Sequence, residues 1–455
     1  MGTYLNPGKQ SFQMAVNSEI FVDKTQMIRY LNTVVNTQQR YVSVSRPRRF
    51  GKTMAADMIC AYYDREADSR SLFLQRKLSL SQPLKASGKE LQWDTYLGAF
   101  DVIRLVMTRF FKKNKTVQEA LGNLQRLVVR EIRKKYPETE CFAEDDLIQT
   151  IEEVYSENNR QVVIVIDEWD AVFRERLSDK DGQREYLDFL RDLIKDNYHI
   201  ALAYMTGILP IKKYGKHSAL NMFTEYSMIF PRQMAQYTGF TEEEVKMLCG
   251  QYGRDYEMVK AWYDGYEVCD TVPPDPGHQE QRATGLPPAA NRYALYSPLS
   301  VVEAMITGMI KDYWNDTETY EALAEYIRKD YDGLKDAVVL LMDGGRVKID
   351  PSTYQNDMTT FHGRDDVLSL LIHLGYLGYD VQENEVFIPN REILDEFKVS
   401  TKSSEWDGAF RQFEDSRKIL KATWNEDADQ VAELLEEFHN RASNRTYHDE
   451  AALNS

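Results

Sequence analysis

Apolar positions along the chain follow two rhythms. Four short runs are apolar or β-branched: Tyr41–Ser45, Phe100–Val106, Val162–Ile166 and His199–Met205. The Val162–Ile166 run has no polar alternation, as a strand covered on both faces should read. Segments with helical spacing lie between the runs, at Thr53 to Tyr63 and Thr116 to Tyr136. Strands alternating with helices predict an α/β fold over residues 1–240: a mainly parallel sheet with helices on both faces. After Thr241 the rhythm changes. Thr241-Glu-Glu-Glu-Val reads as a helix start, a hydroxyl cap followed by acids at the positive helix end. Helical spacing recurs at Pro298 to Ile310, Glu321 to Tyr331 and Asp365 to Leu374. Asp270 to Asn291, with Pro273, Pro274, Pro276, Gly277, Pro287 and Pro288, predicts a long loop. Leu377–Val381 and Glu385–Ile388 read as a small hairpin. Residues 241–390 are thus expected to form a mostly helical accessory or lid domain, and 391–455 a charged helical tail.

The chain has 455 residues, 43% hydrophobic and 28% charged, enough for two or three domains with cores of their own. No apolar stretch approaches the roughly 20 residues that cross a bilayer, so no membrane span is expected. Met1–Pro7 lacks the basic and apolar regions of a signal peptide. Asn6 stands where an N-myristoylation motif wants Ser or Thr. The net charge of −16 argues against wholesale coating of nucleic acid but leaves a local basic patch open. Cys60, Cys141, Cys249 and Cys269 form no C-x-x-C pair, so neither a structural zinc site nor a disulfide framework is supported. A reducing cytoplasm is the expected compartment.

The sharpest chemistry lies in Arg46-Pro-Arg-Arg-Phe-Gly-Lys-Thr53, which follows a strand run and opens a helix. That is the context of a phosphate-binding loop. Backbone N–H groups of Arg48, Arg49, Phe50, Gly51, Lys52, Thr53 and Met54 are the candidates to cradle phosphate. Lys52 would place a charge between the outer phosphates, and Thr53 Oγ would ligate magnesium (Mg2+). The usual pattern G-x-x-x-x-G-K-[ST] would put its first glycine where Arg46 stands, so the loop must avoid positive φ there. Pro47 biases Arg46 towards extended backbone. The second motif is Val162-Val-Ile-Val-Ile-Asp167-Glu168, a buried strand ending in two acids. Asp167 is expected at the magnesium ion, and Glu168 at the attacking water. Asp170 is a further polar candidate near the metal. Thr206 ends the 199–205 run. In P-loop ATPases with an added strand between the two motif strands, a polar residue there senses the γ-phosphate. Lys212, Lys213 and Lys216 follow, as either phosphate-reaching groups or a solvated turn.

Together with Met205–Tyr214, Thr238–Thr241, Trp262-Tyr-Asp-Gly-Tyr266, Phe21-Val-Asp-Lys-Thr25 and Tyr296–Val302, these motifs resemble the bacterial AAA-ATPase-like family. The resemblance implies an AAA/STAND-like P-loop NTPase that binds ATP and Mg2+, with Lys52, Thr53, Asp167 and Glu168 in the roles above. Arg-Pro-Arg-Arg is usual in that family, so the missing glycine is a family trait. The family usually carries a C-terminal PD-(D/E)XK nuclease-like domain. The only Glu-x-Lys in the tail is Glu396-Phe-Lys398, within a helical pattern, so that domain is expected to be absent here.

Other features are weaker. Arg104 to Lys135 is rich in Lys and Arg, with Glu119 and Glu131 the only acids, and reads as a solvated face or a contact for DNA or protein. Arg46, Arg48 and Arg49 are candidates to stabilise the nucleotide or act on a neighbouring subunit of a homo-oligomer. Trp262–Tyr266 reads mainly as packing. No H-x-x-x-H or G-x-S-x-G occurs. The expected function is ATP binding with Mg-dependent hydrolysis coupled to conformational change, with Glu168, Lys52 and Thr206 carrying the chemistry. The alternative is an ATP-dependent switch without turnover that recruits a protein or DNA partner.

Overall fold

The computed structural model describes residues 2–436 except 87, 140–144, 212–218, 271–290, 315–319, 329–330, 332, 357, 402–417 and 421. The expected loop at 271–290, Lys212, Lys213 and Lys216, and much of the tail lie outside the described residues. The main sheet has five strands: β1 (Tyr41–Ser45), β2 (Asp101–Val106), β3 (Val162–Asp167), β4 (Ile200–Gly207) and β5 (Thr224–Tyr226). Their spatial order is β2-β3-β4-β1-β5, and every neighbouring pair is parallel. The added strand, β4, therefore lies between the two motif-bearing strands, β1 and β3.

Every residue of β1, β3 and β4 is buried, as their apolar runs require. The two-residue period of a strand divides each between two apolar layers. Val163 and Val165 pack with Phe12 of α1 (Gln10–Val16), Ile28 of α2 (Gln26–Val34) and Ile59 of α3 (Lys52–Tyr63). Ile164 and Ile166 pack with Leu124 of α4 (Val117–Lys135), Ala171 of α5 (Ala171–Glu175) and Leu190 of α6 (Lys180–Ile194). Each such Val or Ile contributes about 1.5–3 kcal/mol over an exposed one. The fold is the α/β arrangement that the pattern predicts, a parallel sheet with helices on both faces. The short β5 escaped that pattern because three residues carry no readable period.

Thr241 caps α7 (Glu242–Tyr252), with Glu244 returning a bond to the Thr241 N–H, so the expected hydroxyl-and-acid start is a complete capping box. Beyond it lie helices and two small antiparallel sheets. The first joins β6 (Phe240–Thr241), β8 (Asn291–Tyr296) and β7 (Tyr266–Asp270). The second contains the expected hairpin, β10 (Gly378–Asp380) and β11 (Glu385–Phe387), plus β9 (Val347–Lys348). Glu396 and Lys398 sit inside α9 (Arg391–Thr401), with Glu396 buried and Lys398 paired to Asp395 at 2.7 Å. A helix holds them, not the strand a nuclease signature needs. Glu392 of α9 accepts from the N–H groups of Tyr313 and Trp314 and from Ser300 Oγ of α8 (Pro298–Thr307). Burial pushes its carboxyl up to about 7.

The loop between β1 and α3 is braced against this second half. Phe50 meets Tyr266 edge-to-face at 5.3 Å, and its carbonyl accepts the Gly239 N–H at 3.0 Å. A side chain at Gly375, where φ is +92°, would collide with Pro47. Tyr263 and Tyr266 are buried, so the Trp262–Tyr266 aromatics do pack.

Candidate functional site

The site forms at the carboxyl edge of the sheet, where α/β folds place ligands. The Arg46–Thr53 loop turns there from β1 into α3. Gly51 takes φ +83° just before the helix, a left-handed conformation that a side chain would strain. Lys52 is buried and donates from Nζ to the Pro47 carbonyl at 2.6 Å, across its own loop. Burial pushes its ammonium down to about 8, with Asp170 and Asp167 opposing the shift. Arg48 to Met54 line one cavity of about 520 Å³.

Arg46 corrects an expectation. It is fully buried and lines no part of that cavity. Its Nη1 donates to the carbonyls of Ser45 and Tyr226, both at 2.8 Å, and its Nη2 to Met234 O at 3.3 Å. It fastens the loop to β5 and the turn at Met234. Arg46 has no positive φ, so the missing glycine needs no left-handed backbone there, whereas Arg49 takes φ +67°.

Asp167 ends β3 almost wholly buried. The Thr53 hydroxyl is near enough to stabilise its charged form, and Arg104 Nη2 of β2 lies 3.7 Å from its Oδ2. Burial raises its pKa, and those two partners counter the rise. Asp167 Oδ1 is buried without a hydrogen-bond partner. A buried orphan oxygen beside a threonine hydroxyl suits a hard cation that keeps most of its waters, as magnesium does. Arg104 also pairs with Asp57 of α3, so three elements converge beneath the acid. Glu168 follows at φ +55°, the sharp turn that brings it into the cavity. Thr108, two residues past β2, donates its hydroxyl to Glu168 Oε2. In the sheet register Val106 lies opposite Asp167, which sets Thr108 beside Glu168.

Two further residues stand at the acidic edge. Asp170 lines the cavity, yet its Oδ2 accepts the N–H groups of Ile208 and Leu209 at 3.1 and 3.0 Å. It shapes the turn after β4. Thr206 lies opposite Asp167, but its hydroxyl donates to Val44 O at 2.8 Å and it does not line the cavity. It ties β4 to β1, which corrects its expected role as a phosphate sensor. A strand position fixes the neighbourhood of a residue, not which acceptor its hydroxyl finds.

Much of the remaining lining of the cavity is apolar, from Phe12, Ile20, Phe21 and Val22 and from Phe240, Pro298, Leu299 and Val302. None of these was assigned from the sequence. Yet Phe21–Thr25, Thr238–Thr241 and Tyr296–Val302 were three of the motifs that carried the resemblance, and all converge on this cavity. Lys24 lines it too, held by Glu244 of α7 and the Gln236 carbonyl.

Residues 7–215 match the family described as Predicted AAA-ATPase. A protein from Azotobacter chroococcum mcd 1, described as "Uncharacterized protein in vnfD 5'region", is 25% identical over 238 residues. That alignment covers 50% of this chain, which spans 42% of the relative's length. Among solved structures, the Aeropyrum pernix ORC1 protein in complex with DNA aligns at 11% identity over 88% of this chain and 98% of that one. Its TM-score of 0.29 is too low to bear on fold or function. No helix among the described residues is long and apolar enough to cross a membrane.

Proposed function

We propose, from the match of residues 7–215 to the Predicted AAA-ATPase family, that the cavity binds Mg-ATP and that the chain hydrolyses it. The observation that carries this reading is the convergence of Gly51, Lys52, Thr53 and Glu168 on one cavity, with Asp167 beside Thr53 and an apolar lining from both halves of the chain. Phe21, Phe240 and Leu299 would enclose the base, and the loop N–H groups at the start of α3 would receive the phosphates. Lys52 would exchange the Pro47 carbonyl for a phosphate oxygen. Thr53 Oγ and Asp167 would hold magnesium. The ion supplies charge neutralisation to the phosphates. Glu168 would orient water and accept its proton. We read residues 1–240 as the ATPase domain, 241–390 as the part that answers nucleotide, and 391–455 as a tail.

The test is phosphate release from the full chain beside Glu168→Gln and Lys52→Ala. Glu168→Gln should lose release while keeping nucleotide, and Lys52→Ala should lose nucleotide affinity. Binding that survives Lys52→Ala unchanged would refute the site. One observation favours a second reading. Glu168 is engaged by Thr108 and Lys52 by Pro47, so both key groups are held by the protein itself. A switch that binds ATP without turnover predicts tight binding and no phosphate release from the wild type, with or without DNA.

A further inference from the structure

One cation on the cavity wall had no role in the sequence reading. Arg174 lies on α5, six residues past Glu168, and lines the cavity with Glu168, Asp170, Gly207 and Ile208. Its side chain is only 12% exposed. Its Nε stands 3.6 Å from Asp170 Oδ2, an oxygen that already accepts two backbone N–H groups. At that distance the contact is ionic and not a hydrogen bond. Arg174 Nε is buried with no hydrogen-bond partner. Nε lies on the Asp170 side, so what Arg174 brings to the cavity it lines is the charge of a largely buried cation, which an anion there would neutralise.

The neighbouring cations are placed differently. Lys24 is held by Glu244 and Gln236, and Lys52 by Pro47. Arg48 and Arg49 belong to the loop itself. Arg174 comes from the wall that carries Glu168, and its charge acts on Lys52. Two cations facing one volume repel, and an anion lodged between them removes that cost.

We propose that Arg174 is the same-chain cation that contacts the terminal phosphate of a nucleoside triphosphate, so that the site distinguishes triphosphate from diphosphate. The inference rests on the reading of the cavity as an ATP site. It follows from position: Arg174 shares a wall with Glu168, the group that acts where the terminal phosphate is attacked. The planar guanidinium fork suits bidentate contact with phosphate oxygens. Because the same chain supplies it, turnover per chain should not depend on protein concentration.

The experiment measures dissociation constants of ADP and of the slowly hydrolysed ATPγS, with magnesium, for the full chain and for Arg174→Ala, Arg174→Lys and Lys52→Ala. Arg174→Ala should weaken ATPγS by about tenfold or more and ADP by less than about twofold. Arg174→Lys should fall between Arg174→Ala and wild type for ATPγS. Equal weakening of both nucleotides, or of neither, overturns the role of Arg174 while Lys52→Ala still weakens both. If the wild type binds neither nucleotide, or Lys52→Ala changes neither, the ATP site itself fails and this proposal with it. Should Arg174→Ala fail to unfold cooperatively, Arg174→Lys decides, and a wild-type ratio of the two constants in that variant counts against the proposal.

Discussion

Lys52 shows how a buried charge becomes a pH sensor for binding. Burial brings its pKa down to about 8 from an ordinary 10.5. Phosphate binding needs the ammonium, so ATP affinity should be flat below about pH 8 and fall as pH rises through it. The limiting slope is tenfold per pH unit for one proton. Dissociation constants measured from pH 6.5 to 9.5 check this, and Lys52→Ala should flatten the curve. A wild-type curve that stays flat past pH 9 would contradict it. The stability term has its own sign. Between about pH 8 and 10.5 the unfolded lysine holds more protons than the folded one, so this group's penalty shrinks as pH rises there. The positions of Lys52, Thr53, Asp167 and Glu168 could be read from the chain because each motif is local: a strand, a turn and a helix start in a few residues. Arg174, Arg104 and Thr108 could not, since each matters only through the neighbour that the sheet register or a cavity wall supplies. Thr206 was legible in place but not in direction.

At the scale of elements, one side chain joins three of them. Arg46 leaves β1 and donates to carbonyls on β5 and in the turn at Met234, partners 180 and 188 residues away. That separation is why sequence placed it with phosphate and the structure does not. Arg46→Gly would restore the usual loop glycine, yet it should destabilise the fold. It leaves the Ser45, Tyr226 and Met234 carbonyls short of a donor and opens a void. At about 1.5–3 kcal/mol for each hydrogen bond to a charged group, a net loss of roughly 3 kcal/mol or more is expected. Urea unfolding of wild type and variant measures it, and an unchanged midpoint would show that the arginine is a passenger. The strands β1 to β4 and the helices between them could be read from periodicity because both strand faces are covered. The sheet of β6, β7 and β8 could not. Its two longer strands flank residues 271–290, and pairing across that separation leaves no signal in a local pattern.

For the molecule as a whole, the decisive feature is that its two halves share one cavity. The first half supplies residues 48–54 of the loop and Glu168, just past β3, to its lining. The apolar lining is completed by Phe240, Pro298, Leu299 and Val302, more than 180 residues past the loop. Pro47 and Phe50 also press against Gly375 and Tyr266, so the loop and the second half cannot move independently. A ligand that spans the cavity must therefore touch both halves, whereas one confined to the loop touches only the first. Val302→Asp separates these cases. A carboxylate at position 302 meets no partner among the apolar residues of the lining, which is unfavourable to an aromatic base, while its Coulomb effect on phosphates is screened by salt. ATP should weaken by about tenfold or more, because an aromatic base loses an apolar contact and faces a charge. Inorganic tripolyphosphate, which has the charges but no base, should bind the variant within about twofold of wild type. Competition of both ligands against a fluorescent nucleotide reads the difference. Equal loss for both would mean that the second half acts through the loop and not on the base. No loss for either would mean that residues beyond 240 do not help to hold the nucleotide, and the coupling of hydrolysis to their movement would have to be abandoned.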